Sequence, residues 1–177
     1  MTVTDLVAAW EAHVAAEFEQ KDAHAAVQTM ADDAVLVHVP VATGGRGRAA
    51  IERFYADVFV PSWPDDTTIA PGSRTVGDDQ VVDELLVSGT HDRPMPFWLP
   101  GVEPTGRRFS LLLVAVVGFR DGLIASEHIY WDQASLLVQL GLLPDAESLP
   151  VLGVAQTRAY TDRTYALNEL IERAPST

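Results

Sequence analysis

The stretch from Arg107 to Asp132 restricts the fold more than any other part of the chain: "RRFSLLLVAVVGF", then "RDG", then "LIASEHIYWD". Its longest apolar run is about half of the ~20 residues that a membrane helix needs. Two β-rich runs joined through Asp-Gly read instead as a hairpin, because that dipeptide accepts the positive φ angles of a tight turn. So apolar a hairpin has to be covered by other elements. Its second strand closes on "EHIYWD", with two carboxylates, a histidine, a tyrosine and a tryptophan side by side.

The segments before the hairpin supply helices first and strands second. Leu6, Val7, Trp10, Val14 and Phe18 recur at helical spacing over residues 4–20, with Thr4 as a possible cap. A short helical patch, "DAHAAVQTM", follows with Asp22 as its cap, and "DDAVLVHVP" reads as a strand closed by Pro40. "TGGRGRAAIERFYADVFVP" is a Gly-rich loop leading into a third helix whose stripe is Ile51, Phe54, Tyr55 and Val58. "TTIAPGSRTVG", with Gly72 as a bulge or kink, and "QVVDELLVSGTH" are strands. "DRPMPFWLPGVEPTG" is an ordered loop or lid. After Asp132, "QASLLVQLGLL" returns to helix, and a linker leads to a last helix near 155–173 carrying Tyr160, Leu167, Leu170 and Ile171. Helices followed by antiparallel strands spell α+β, with a curved sheet wrapped around the N-terminal helices. The expected division is a domain over 1–143, and a linker and C-terminal helix over 144–177 packed on it.

Composition excludes several function classes. There is no cysteine, so no disulfide framework, thiolate nucleophile or Cys-ligated metal. A net charge of −13 leaves no basic stripe for nucleic acid. The start, "MTVTDLVAAWEAHV", has no cationic region ahead of an apolar one, so the expectation is a soluble cytoplasmic protein that does not engage a membrane. His13, His24, His38, His91 and His128 lack His-x-x-x-His or His-Glu-x-x-His spacing, and no metal site is expected. Phosphate loops, dinucleotide fingerprints and Gly-x-Ser-x-Gly elbows are also missing.

Side chains alternate along a strand, so His128, Tyr130 and Asp132 share one face, and Glu127, Ile129 and Trp131 the other. With a turn at "RDG", the first three lie opposite Val114, Leu112 and Ser110. An aspartate and a histidine are then expected in an apolar pocket, where burial raises a carboxyl pKa and a nearby imidazolium lowers it. The competing reading makes Asp132 the N-cap of the helix at Gln133. His91 opens the proline-rich loop, where binding residues gather. Of the adjacent Asp83 and Glu84 only one can enter a pocket; parity alone does not choose, and Glu84 is the expected one. His38, at a strand end, and Trp98, on the stiff loop, complete the lining.

Five tokens in order carry a family likeness: "GGRGRAAIERFY", "GTH" at Gly89–His91, "PTGR" at Pro104–Arg107, "FRDG" at Phe119–Gly122, and "EHIYWD". On these the chain resembles the SnoaL-like polyketide cyclases of the nuclear-transport-factor-2-like (NTF2-like) superfamily over roughly residues 5 to 142. The resemblance implies a cone-shaped α+β barrel with an apolar pocket, a homodimer and no cofactor. It places Asp132 at the family's general acid/base position, with His91 or His128 beside it. Glu84, Trp98, Tyr130 and His38 would then bind a small apolar carbonyl or lactone substrate for cyclisation, isomerisation or dehydration. The family's second histidine falls near Gly118, where this chain has none. A non-catalytic binder and a water-activating hydrolase are the alternatives.

Overall fold

The computed structural model describes residues 2–143 and 148–173; part of the expected linker, residues 144–147, lies outside them. Helix α1 (Val3–Phe18) starts at Thr2, two residues before the expected cap, and Thr2 and Asp5 close a reciprocal capping box. Helix α2 (Ala23–Gln28) is capped by Asp22, as its sequence predicts. Strand β1 (Met30–His38) turns into β2 (Thr43–Arg46), so the first part of the Gly-rich segment is a strand and not a loop. Gly44 makes that pairing possible. Its φ is +135°, and a Cβ there would stand 2.2 Å from the Leu36 carbonyl oxygen. Helix α3 (Arg48–Phe54) continues through a π-helical turn at Tyr55–Phe59, which brings Tyr55 and Phe59 into the core.

The remaining strands are β3 (Thr68–Val76), β4 (Gln80–Thr90), β5 (Arg108–Arg120) and β6 (Leu123–Trp131). They form one curved sheet in the order β2-β1-β6-β5-β4-β3. Every pairing is antiparallel except β1 with β6, which is parallel, so the sheet is mixed. The β5–β6 turn is the expected Asp-Gly turn, with positive φ at Asp121 and Gly122. The β3–β4 register shifts between Pro71 and Arg74, around Gly72. A further shift between Gly118 and Phe119 puts Val116 opposite His128 and Val114 opposite Tyr130, in place of the expected partners.

Burial on β5 alternates strictly: Phe109, Leu111, Leu113, Ala115, Val117 and Phe119 point inward, and Leu112, Val114 and Val116 outward. On α1 the buried face is Leu6, Trp10, His13, Ala16 and Glu17. Val14 and Phe18 are half-buried beside it. Helices α4 (Gln133–Gln139) and α5 (Ala155–Thr161) pack on β5. The single last helix expected near 155–173 is two, α5 and α6 (Glu169–Arg173). Asp162 breaks it, because its carboxylate accepts from the Thr164 N–H at 2.8 Å and hydroxyl at 2.6 Å and holds a turn. Leu167 and Ile171, expected on that one helix, are exposed.

Candidate active site

Between α1 and the inner face of the sheet lies a cavity of about 470 Å³. Trp10, Phe18, Phe59, Trp63 and Trp98 give it aromatic walls, Ile69, Leu85, Val87, Leu113 and Ile129 aliphatic ones. Glu11 on α1 and Glu19 at its C-terminal cap, both exposed, mark its rim. Into this apolar space come four groups that carry chemistry: Glu17, His38, Asp83 and Glu127.

Glu127 belongs to a buried cluster with His13, Glu17 and Tyr55, whose exposures are all 5% or less. The Tyr55 hydroxyl donates to Glu127 Oε2 at 3.2 Å, and His13 Nε2 is 3.4 Å from the same oxygen and 3.3 Å from Glu17 Oε1. Thr29 donates its hydroxyl to the Ala26 carbonyl at 2.7 Å, so its oxygen accepts from His13 Nδ1–H, also at 2.7 Å. That bond fixes the ring with Nε2 towards the acids. Burial works against a charge on His13, but Glu17 and Glu127 outweigh it and raise its pKa to about 10. Burial, and then the two acids, push the Tyr55 phenol well above its ordinary value, so it stays a donor. Glu127 Oε1 has no hydrogen-bond partner among the described residues.

His38 is 3% exposed and sits against Phe59, Phe54, Phe97 and Trp131. Thr43 donates to the Phe97 carbonyl at 2.7 Å and therefore accepts from His38 Nδ1–H at 3.2 Å. Burial lowers the His38 pKa to about 4, against a smaller opposing pull from Glu127. The ring is neutral near pH 7, and its Nε2 has no protein partner among the described residues. Asp83 is saturated instead: Arg74 Nε donates to Oδ1 at 2.7 Å, and Arg74 Nη2 and Trp10 Nε1 donate to Oδ2, each at 2.8 Å. Arg74 also reaches Glu11 at 2.9 Å and so ties β3 to α1.

The expected residues divide between the two faces of the sheet. His38 and Trp98 line the cavity. Asp132, His128, Tyr130 and Glu84 do not, because the face with room for a ligand is that of Glu127, Ile129 and Trp131. Asp132 is exposed and caps α4, accepting from the Ser135 N–H at 3.0 Å and hydroxyl at 2.7 Å. Tyr130 is exposed and His128 half-buried on the outer face. Glu84 is held there by Ser73 at 2.5 Å and by Tyr160 of α5 at 3.1 Å, and Asp83 takes the inward position. His91 is fully buried yet outside the cavity lining; Thr105 donates its N–H to His91 Nδ1 at 3.3 Å and pins the proline-rich loop. Gln133 anchors that loop too, donating to the Trp98 carbonyl at 3.0 Å and accepting from Trp131 Nε1 at 2.6 Å. The sequence did not single out Glu127, Glu17, His13 or Tyr55, and between Asp83 and Glu84 the expectation fell on Glu84. One signal was present: His13 and Glu17 lie four residues apart, on the helix face that begins with Leu6 and Trp10.

A curved sheet closed over N-terminal helices, with a cavity between, defines the NTF2-like class. The sequence profile of the SnoaL-like domain matches residues 6–127, and the chain belongs to the SnoaL-like domain family. No curated protein matches the sequence. Among solved structures it is similar to TsrD from Streptomyces laurentii, at 24% identity and a TM-score of 0.60, covering 81% of this chain and 99% of that one. AclR from Streptomyces galilaeus is similar at 24% identity and a TM-score of 0.62, covering 81% and 89%. A protein with a ketosteroid isomerase-like fold from Catenulispora acidiphila follows at 21% and 0.57, covering 79% and 95%. At such identities the likeness is one of fold. Among the described residues no helix is long and apolar enough to cross a membrane.

Proposed function

We propose that the chain is an acid/base enzyme that moves a proton beside the carbonyl or lactone group of a small apolar molecule. The observation that carries this reading is Glu127. One of its oxygens accepts from the Tyr55 hydroxyl, with His13 Nε2 3.4 Å away, and the other is free of protein partners among the described residues at the wall of an apolar cavity. A carboxylate held in this way is aimed before the substrate arrives, in a setting that excludes competing water. In this proposal Glu127 takes the role expected of Asp132. Its Oε1 accepts the proton, and the C–H electron pair moves into an enolate. Trp63 and Trp98 offer their rings to the flat body of the substrate. His38 Nε2 is a second acceptor in the cavity lining, suited to a substrate hydroxyl. Reprotonation at another carbon is isomerisation, attack by the enolate is cyclisation, and loss of a β-hydroxyl is dehydration. A homodimer joined across the outer sheet face is part of the reading on the family likeness, and sedimentation tests it.

The test uses 2-tetralone in D2O, following loss of its α-proton signal by NMR. The wild type accelerates the exchange; Glu127→Gln loses the acceleration yet still binds the ketone, as quenching of tryptophan fluorescence shows. Equal rates from the two proteins at matched occupancy overturn the reading. The five aromatic rings around the cavity suit a flat ligand even without turnover, so that result would leave a binding protein.

A further inference from the structure

We propose that His13, Glu17 and Glu127, with the Tyr55 hydroxyl, form a site for one divalent cation of the zinc type in the wall of the cavity. This goes beyond the proton-transfer reading and does not depend on it. The ligand atoms of the three side chains all lie within 4.8 Å of one another and are buried. Their closest approaches are unlike those of a direct ion pair. Charge-assisted N–H···O bonds run to about 2.7–2.9 Å, whereas His13 Nε2 stands 3.3 Å from Glu17 and 3.4 Å from Glu127. The Tyr55 oxygen is 3.2 Å from both His13 Nε2 and Glu127 Oε2. Four of the six distances among the four ligand atoms are thus 3.2–3.4 Å; with Glu17 Oε1 drawn to a like distance from Glu127 and Tyr55, a tetrahedron with edges of about 3.3 Å has its centre about 2.0 Å from each corner, the length of a zinc bond to imidazole nitrogen or carboxylate oxygen.

Two further features agree with a metal. His13 directs its Nδ1–H away, to Thr29 Oγ1 at 2.7 Å and the Ala26 carbonyl at 3.2 Å. This is the outer bond that orients a metal-ligating imidazole and leaves Nε2 for the ion. Charge balance points the same way. Two carboxylates around one imidazolium leave the buried cluster with a net negative charge, which is costly away from water. Two carboxylates and a neutral imidazole around a dication sum to zero. The donor set of one nitrogen with oxygens suits zinc and similar borderline ions better than calcium, which takes oxygen alone. His-x-x-x-Glu on α1 supplies two of the ligands from one helix face, and β6 the third. Glu127 Oε1 stays clear of this arrangement.

The experiment takes the full chain, strips it with a chelator, and dialyses it against zinc chloride or cobalt chloride alone. Metal retention is then read by mass spectrometry, and cobalt geometry by visible absorption. The proposal expects about one equivalent retained and a four-coordinate cobalt band. It expects Glu17→Gln to weaken binding at least tenfold, and His24→Gln, in the exposed pair with Glu52, to leave it unchanged. Retention far below one equivalent, a six-coordinate spectrum, or equal binding by wild type and Glu17→Gln overturns it. If Glu17→Gln does not fold, X-ray absorption of the wild-type zinc protein decides: one imidazole with oxygens at about 2.0 Å supports the site. No imidazole, or several, overturns it. Exchange of 2-tetralone is read separately, so failure of metal binding leaves that reading standing.

Discussion

Lowering the pH should separate the wild type from His38→Asn. The asparagine amide keeps the donor to Thr43 but removes the titrating ring. In the folded protein burial holds the His38 pKa at about 4, against 6.5 for a free histidine. Below pH 6.5 the unfolded chain therefore binds a proton that the folded one refuses, and stability falls as the pH falls. The stabilisation is fully present above 6.5 and is lost on the way down to about 4. Between pH 7 and pH 5 linkage gives about 2 kcal/mol lost by the wild type on this account, and about 3 kcal/mol by pH 4. Carboxylates and the other histidines titrate in both proteins and cancel in the difference. Urea unfolding at half-unit steps of pH measures it, and the His38 ring protons in NMR should not move between pH 8 and pH 5.5. Parallel stability curves, or a ring titrating near 6.5, would refute the placement of a neutral imidazole in a dry wall.

Other variants test the remaining assignments. Asp132→Ala should cost about 1 kcal/mol in urea unfolding, the usual worth of an N-cap, and leave the 2-tetralone exchange rate unchanged. Asp83→Ala should cost about 2 kcal/mol, since it strands the Trp10 N–H and the Arg74 fork. Asp83→Asn should cost less, because an amide oxygen can still accept from Trp10. Gly44→Ala should lower the thermal midpoint by several degrees, because its Cβ would collide with the Leu36 carbonyl.

The fold was legible because its strongest signals are local. Asp-Gly between two apolar runs fixes the β5–β6 hairpin, and caps at Asp22 and Asp132 mark helix starts. The inside of the sheet was not legible, for a physical reason. In "LLLVAVV" both parities are apolar: Leu111, Leu113, Ala115 and Val117 fill the interior, while Leu112, Val114 and Val116 lie half-buried on the face that α4 and α5 pack against. Nothing local then tells in from out. Parity taken from Asp132 put Glu127 on the wrong face, and Glu84 was expected inside in place of Asp83; Glu127 and Asp83 are inside because Arg74, Trp10, Tyr55 and His13 come to meet them. Apart from Arg74, nine residues before Asp83, those partners lie far away in sequence. Similarly, the C-terminal stripe of Tyr160, Leu167 and Ile171 suggested one helix, and a turn at Asp162 divided it.

A crystal structure of the protein with 2-tetralone bound tests the central claim most directly. The account predicts the ketone between the rings of Trp10 and Trp98, with its α-carbon beside Glu127 Oε1. A ketone seated on the outer face, next to His128 and Asp132, would contradict it.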